Sequence, residues 1–363
     1  GTFAQGHGFL VLVSLIAGLI LMAMGLLGAG KYAKLVPNSI IVGFTVGIAI
    51  VIAMSNSGEA LGISLGLKGG IVPKLQTIIS QIDTANWYAF GIALLTFLMT
   101  RNLLKVSVFI PAPLLALGVA TGLVAWVFPE KGITLVKDRF GEIPTNFWSF
   151  TPPVLPEMSP SVMVDIAYFV FAIVFVSAVE SVLCSSMADR LADNRKTPFN
   201  PDKELWGQGM VQAIVPLING FPCTGALART ATSIKAGAVT PFAGYFKGVL
   251  KLVLAVFLAG YLNYVPMACI AGILLWVASN MIKPKELSEV WRHSRFHAAL
   301  MIYTAVMVPL TDFLTGVLSA LVIYALLRPV FDKVPPPSSD QEQPEDETQN
   351  LTEAEPDKEE VYA

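Results

Sequence analysis

NGFPCTGALARTATSIKAGAVTP, residues 219–241, lies between two strongly apolar segments, yet it holds three glycines, two prolines and Arg229. Pro222 keeps Phe221 out of the helical region and brings no N–H of its own. Thr224 has the side chain of a helix N-cap, and GALARTATSI (225–234) has the composition for two to three helical turns. A helix starting here leaves its first N–H groups near the middle of a membrane instead of at its surface. That is the arrangement of a broken transporter helix whose positive end faces an anion at the midplane. Gly225, Ala226 and Ala228 are small enough to leave those N–H groups open, and Arg229 adds a fixed positive charge. Thr224, Gly225, Ala226, Leu227, Ala228 and Arg229 are therefore the candidate substrate-binding residues. The bland alternative is an interfacial loop whose Arg229 snorkels to a headgroup; a charge at depth weighs toward a site.

Outward from this stretch, the whole chain reads as membrane-embedded. Hydrophobic residues make up 54% and charged residues 14%, with a mean hydropathy of +0.65, whereas a soluble chain is about one quarter charged. Several apolar runs reach the ~20 residues needed to cross a bilayer. The spans read as 8–29, 36–55, 86–100, 108–128, 162–187, 205–218, a half-helix near 224–234, then 241–262, 265–282, 296–310 and 312–331. Basic residues cluster in alternate connections: Lys31 and Lys34; Arg101 and Lys105; Arg190, Arg195, Lys196 and Lys203; Lys283, Lys285, Arg292 and Arg295; Arg328 and Lys333. The positive-inside rule puts these, and the C-terminus, in the cytoplasm of a multi-pass protein of the plasma or inner cell membrane. Charge confined to loops speaks to orientation and not to nucleic acid. Residues 129–160 form a Pro-rich connection on the opposite side, in which PTNFWSFTPP has the aromatic character of an interfacial segment. Residues 332–363 are acidic and poor in core-forming side chains, which predicts a disordered cytoplasmic tail.

A second charge falls inside a span. In VMVDIAYFVFAIVFVSAVESVLCSSM (162–187), Glu180 shares a helix face with Ser177 and Cys184. A carboxylate at that depth needs a partner or a proton, and Arg229 offers the best partner in the core. The same pair would also serve as a purely structural ion pair between helices. Asp165 reads as an interface residue, and Lys247 and Lys251, four apart, reach toward the cytoplasmic face. Cys184, Cys223 and Cys269 show no metal-ligand or disulfide spacing and read as small core residues. His7, His293 and His297 fall near span ends or in loops without a metal pattern. We expect no metal and no cofactor. An intramembrane hydrolase would need a nucleophile–base pair or metal ligands, and the spans show no such dyad.

KELWGQG (203–209), followed by GFPCTGALARTATSI and GAVTP, resembles the signature of the sulfate permease (SulP) family, relatives of the animal multifunctional anion exchangers. Further similarity lies in VPNSIIVGFTVGIAI (36–50), IPAPLLALGVATG (110–122), VPMACIAGILL (265–275) and LTDFLTGVLSALVIYALL (310–327). The resemblance covers roughly residues 8–331. It implies an all-α polytopic fold of two inverted repeats of seven spans, split into a core and a gate domain, in a homodimer. By motif order, GFLVLVSLIAGLILMAMGLLG (8–28) is similar to the fourth span, so the first three have no counterpart here. That is expected of an N-terminally incomplete piece or a degenerate gene. Residues 1–128 would then hold spans like the fourth to seventh, 129–160 the linker, and 161–331 the second repeat. A STAS domain, common in the family after the last span, is absent from the acidic tail.

The resemblance also places Glu180 at the family's acidic position on the eighth span, facing the tenth. It implies secondary transport of a small anion of the sulfate or bicarbonate type, by alternating access. Exchange, a passive channel, or a nonfunctional fragment or scaffold are the alternatives. Sodium coupling would need several hard oxygen ligands, and Cys184, Leu227 and Ala228 supply none, leaving Ser177, Ser181 and backbone carbonyls. A proton carried by Glu180 is the simpler coupling ion, which makes the expectation proton–anion symport.

Overall fold

The computed structural model describes residues 2–63, 70–107, 110–142, 150–156, 159–192 and 199–331. The acidic tail, most of PTNFWSFTPP, and Lys68, Arg195, Lys196 and Lys333 lie outside the described residues, as do the side chains of Lys34, Arg190, Leu227 and Ala228. In chain order the helices are α1 (Thr2–Leu26), α2 (Asn38–Ala60), α3 (Ile71–Ser80), α4 (Trp87–Val106), α5 (Ala112–Trp126), α6 (Val136–Phe140) and α7 (Pro160–Leu191). They continue with α8 (Pro201–Ile214), α9 (Leu227–Lys235), α10 (Phe242–Leu262), α11 (Met267–Met281), α12 (Pro284–His293), α13 (Arg295–Leu310) and α14 (Phe313–Phe331). Two 3-10 segments, Ala29–Leu35 and Val215–Ile218, follow α1 and α8.

Every span expected from the sequence is a helix here. Among the described residues, six helical stretches are long and apolar enough to cross a membrane, counting α11 and α12 as one, and α5, α13 and α14 are shorter apolar helices. Helix ends follow local chemistry. Asn86 accepts from the N–H groups of Tyr88 and Ala89 to start α4, and Asn200 accepts from Asp202 and Lys203 to start α8.

The helices pack as two bodies. In the first, α1, α7, α8, α9 and the 29–35 segment lie against one another, with Val13, Leu21, Val174, Val182 and Leu205 in the core. In the second, α2 packs on α11, α13 and α14, α4 on α5 and α11, and α12 on α13. The 129–142 stretch joins this second body: Val136 N–H donates to Val265 O at 2.9 Å, and Met267 N–H to Thr134 O at 2.9 Å. Few side chains cross between the bodies. Phe175 of α7 packs against the Ile40, Leu300 and Val308 cluster, and the Tyr168 hydroxyl donates to Asp312 at the start of α14. α10 stands apart, with Ala259 its one buried residue among those described.

In a lipid solvent, apolar contact does little to hold helices together, so close backbone approach has to do it. α1 and α8 meet at glycine: a Cβ on Gly18 would lie 2.6 Å from Gly209 O, and one on Gly209 would lie 2.6 Å from Gly18 O. This crossing turns the Gln208 and Gln212 face of α8 toward α7 and the break before α9.

Candidate functional site

The chain turns back into the first body at Asn219. Its left-handed φ of 65° ends the 215–218 segment, and Gly220 N–H closes the turn on Val215 O at 2.9 Å. The Asn219 side-chain oxygen accepts from Thr151 Oγ1 at 2.9 Å and pairs with His7 Nε2 at 3.0 Å. From there, 221–226 run without helix, as Pro222 dictates, until α9 begins at Leu227. Unpaired backbone is costly at membrane depth, and three successive residues of this segment are tied to their neighbours. Cys223 exchanges hydrogen bonds with the Gln212 amide: Cys223 N–H donates to Oε1 at 3.3 Å, and Nε2 donates to Cys223 O at 2.7 Å. Gln208 Nε2 donates to the same carbonyl. Thr224 Oγ1 donates to Glu180 Oε2 at 2.7 Å. Gly225 N–H donates to Ser181 Oγ at 3.3 Å. A Cβ on Gly225 would sit 3.0 Å from Cys184 Cβ, so glycine lets the segment lie flat on α7.

Two sequence expectations change. Thr224 is not the N-cap of the half-helix; Ala226 holds that position, with no side-chain cap. Thr224 lies two residues before that position, and its hydroxyl donates across to Glu180 on α7. The first N–H groups of α9 therefore keep no side-chain cap, and the first helical bond is Thr230 N–H to Ala226 O at 3.0 Å. Glu180 in turn has Thr224 as its partner and not Arg229. Arg229 is exposed on α9, and among the described residues no ion pair engages it. Lys247 and Lys251 stand four residues apart, both on α10.

The α7 face is as the spacing predicts. Ser177 Oγ accepts from Gln212 Nε2 at 2.7 Å, Glu180 and Ser181 meet the 224–225 segment, and Cys184 Sγ lies 3.7 Å from Thr230 Oγ1. Cys184 and Cys269 are buried, whereas Cys223 is exposed because it sits on the break and not on a helix. His297, near the start of α13, is fully buried, with Ser39 Oγ 2.9 Å from Nδ1. Asp165 is exposed near the start of α7. Sequence reasoning missed Gln208 and Gln212. The available signal was two amides at i and i+4 in an otherwise apolar half-span, a pattern that demands buried polar partners.

The sequence profile described as the sulfate permease family matches residues 4–304. The chain is 33% identical over 315 residues to the putative sulfate transporter YvdB of Bacillus subtilis (strain 168), across 86% of this chain and 58% of that protein. The transmembrane domain of a cyanobacterium bicarbonate transporter, BicA, superposes with a TM-score of 0.71 at 25% identity, over 87% of this chain and 77% of that one. The murine Slc26a9 anion transporter in its inward-facing state superposes with a TM-score of 0.74 at 17% identity, over 88% of this chain and 52% of that one, a likeness of fold alone. The chain spans about half the length of the curated relatives it matches.

Proposed function

The chain belongs to the sulfate permease family, a family of transporters and not of enzymes, and we propose from this that it carries a small oxyanion across a membrane by proton-coupled symport. The observation that carries the proposal is the uncapped start of α9 beside a half-buried carboxyl group. Leu227, Ala228 and Arg229 begin a helix whose N-terminus has no side-chain partner of its own. Backbone N–H groups and the helix dipole favour an anion at such a place. Arg229 supplies positive charge, and Thr224, Gly225 and Ala226 bring the backbone to it. The relatives named for sulfate and for bicarbonate suggest the substrate class, a compact inorganic oxyanion.

Glu180 is the proposed coupling group. Ionised, its carboxylate accepts the Thr224 hydroxyl; protonated, it gains a donor of its own and loses the charge that repels an incoming anion. Thr224 thus connects the protonation of α7 to the segment leading into α9. The division into two bodies with few bridging side chains suits rigid movement of one against the other. We also propose that 188–204 and the C-terminus lie in the cytoplasm of a plasma or inner cell membrane, with residues 1–128 as the remainder of the first repeat, 161–331 as the second, and a homodimer as the assembly.

The test is flux in proteoliposomes bearing the whole protein, with sulfate and bicarbonate as probes and with proton and sodium gradients imposed separately. Sulfate or bicarbonate uptake accelerated by an inward proton gradient is the expected result. Uptake that follows sodium and ignores pH would overturn the coupling; no uptake of either anion would overturn the substrate class.

A further inference from the structure

Gln212 is 1% exposed, in a half-span where a buried amide would otherwise be a liability. Each of its polar atoms has a defined use. Oε1 accepts from Cys223 N–H, while Nε2 donates both to Cys223 O and to Ser177 Oγ. The Cys223 backbone dictates which way the amide faces, since a flipped amide would set donor against donor and acceptor against acceptor. One side chain from α8 thereby fixes the break segment and α7 in a common register. Gln208, one turn earlier, donates to the same carbonyl.

The consequence falls on the next two residues. With Cys223 held, Thr224 reaches Glu180 at 2.7 Å and Gly225 N–H reaches Ser181 at 3.3 Å, and α9 begins two residues later. A slip of one residue would turn Thr224 away from Glu180 and move the first N–H groups of α9 along the α7 face. The Thr224 and Gly225 bonds share in that register, but the bond to Glu180 is the one expected to change on protonation, whereas the Gln212 bonds to Cys223 do not depend on it. We infer that Gln212, backed by Gln208, is the positioning residue that sets the depth of the α9 N-terminus against Glu180, and so sets anion affinity without touching the anion. This rests on the reading of α9 as the anion site.

Cys223 gives a readout separate from transport, being exposed while Cys184 and Cys269 are buried. The whole protein in native membranes is treated with a small thiol reagent, and modification of Cys223 is followed by mass spectrometry as sulfate or bicarbonate is titrated in. In the unmodified protein the anion should slow the modification. Gln212→Leu should speed the modification in the absence of anion and raise the half-protecting concentration by about tenfold, as loss of a buried hydrogen-bonded partner implies. Gln212→Glu covers the case of a Leu variant that fails to fold. As a neutral acid it offers both a donor and an acceptor to Cys223, so its protection should approach that of the unmodified protein as pH falls, with the two compared at each pH. Equal modification rates and equal half-protecting concentrations in Gln212→Leu and the unmodified protein would overturn the inference. So would a Gln212→Glu deficit that is the same at every pH. Should neither anion protect Cys223 in the unmodified protein, the anion-site reading fails, while the anion-free modification rates still decide whether Gln212 holds the segment.

Discussion

Glu180 and Arg229 stand on two helices, and among the described residues they do not pair. The Glu180 carboxyl group is engaged by Thr224, and the guanidinium is exposed on α9, where we propose that it meets an anion. Arg229→Ala should therefore weaken sulfate binding by about 1–3 kcal/mol, the range of a charge-assisted contact, while the protein stays folded. Arg229→Lys should restore part of the loss, because Lys lacks the planar fork. Isothermal titration of the purified variants measures both, and unaltered affinity in the Ala variant would assign Arg229 to structure alone. Both charges were legible in the sequence, since ionised groups in apolar runs stand out. The role of Thr224 was not. Spacing alone made it an N-cap, and only the fold shows that α9 begins two residues too late for that and that α7, 44 residues earlier in the chain, supplies an acceptor for its hydroxyl. Gln212 was hidden for the same reason, because its partners are a backbone amide and a serine on another helix.

At the scale of elements, hydrophobic run length located the spans because the bilayer imposes it. It could not locate α3 and α12, whose ten residues each are amphipathic and too short to cross. Nor could it reveal how α8 meets α1. The glycines of the 203–209 motif were visible, but which of them faces another backbone depends on the crossing. Gly209 is the one: a Cβ there would lie 2.6 Å from Gly18 O and 2.6 Å from Met22 Cγ, whereas Gly207 has nothing within 4 Å. Gly209→Val should destabilise the protein by about 1–3 kcal/mol through overpacking. Gly207→Val, at the same helix depth, should cost far less. Thermal melts of the two variants in detergent make the comparison, and equal losses would mean that α1 and α8 are not held by this crossing. Since α8 carries both glutamines, its seating on α1 also fixes the break before α9.

Seen whole, the molecule is two helical bodies joined by few side chains, chiefly Phe175 against the Ile40 cluster and Tyr168 on Asp312. One body carries Glu180, the 223–225 segment and α9. The other carries α2, α4, α5 and α11–α14 and offers a surface to move against. The all-helical fold, its family and the split into two bodies were legible through the spaced motifs, while the side chains that join the bodies were not, because they follow from packing between distant segments. We propose that a proton on Glu180 drives an anion held at α9. The direct measurement is sulfate or bicarbonate uptake by proteoliposomes under an inward proton gradient, with the unmodified protein beside Glu180→Gln. The unmodified protein should be accelerated by the gradient, and Glu180→Gln should lose that acceleration while still exchanging anion across the membrane. A Glu180→Gln protein that responds to the proton gradient as the unmodified one does would contradict the claim.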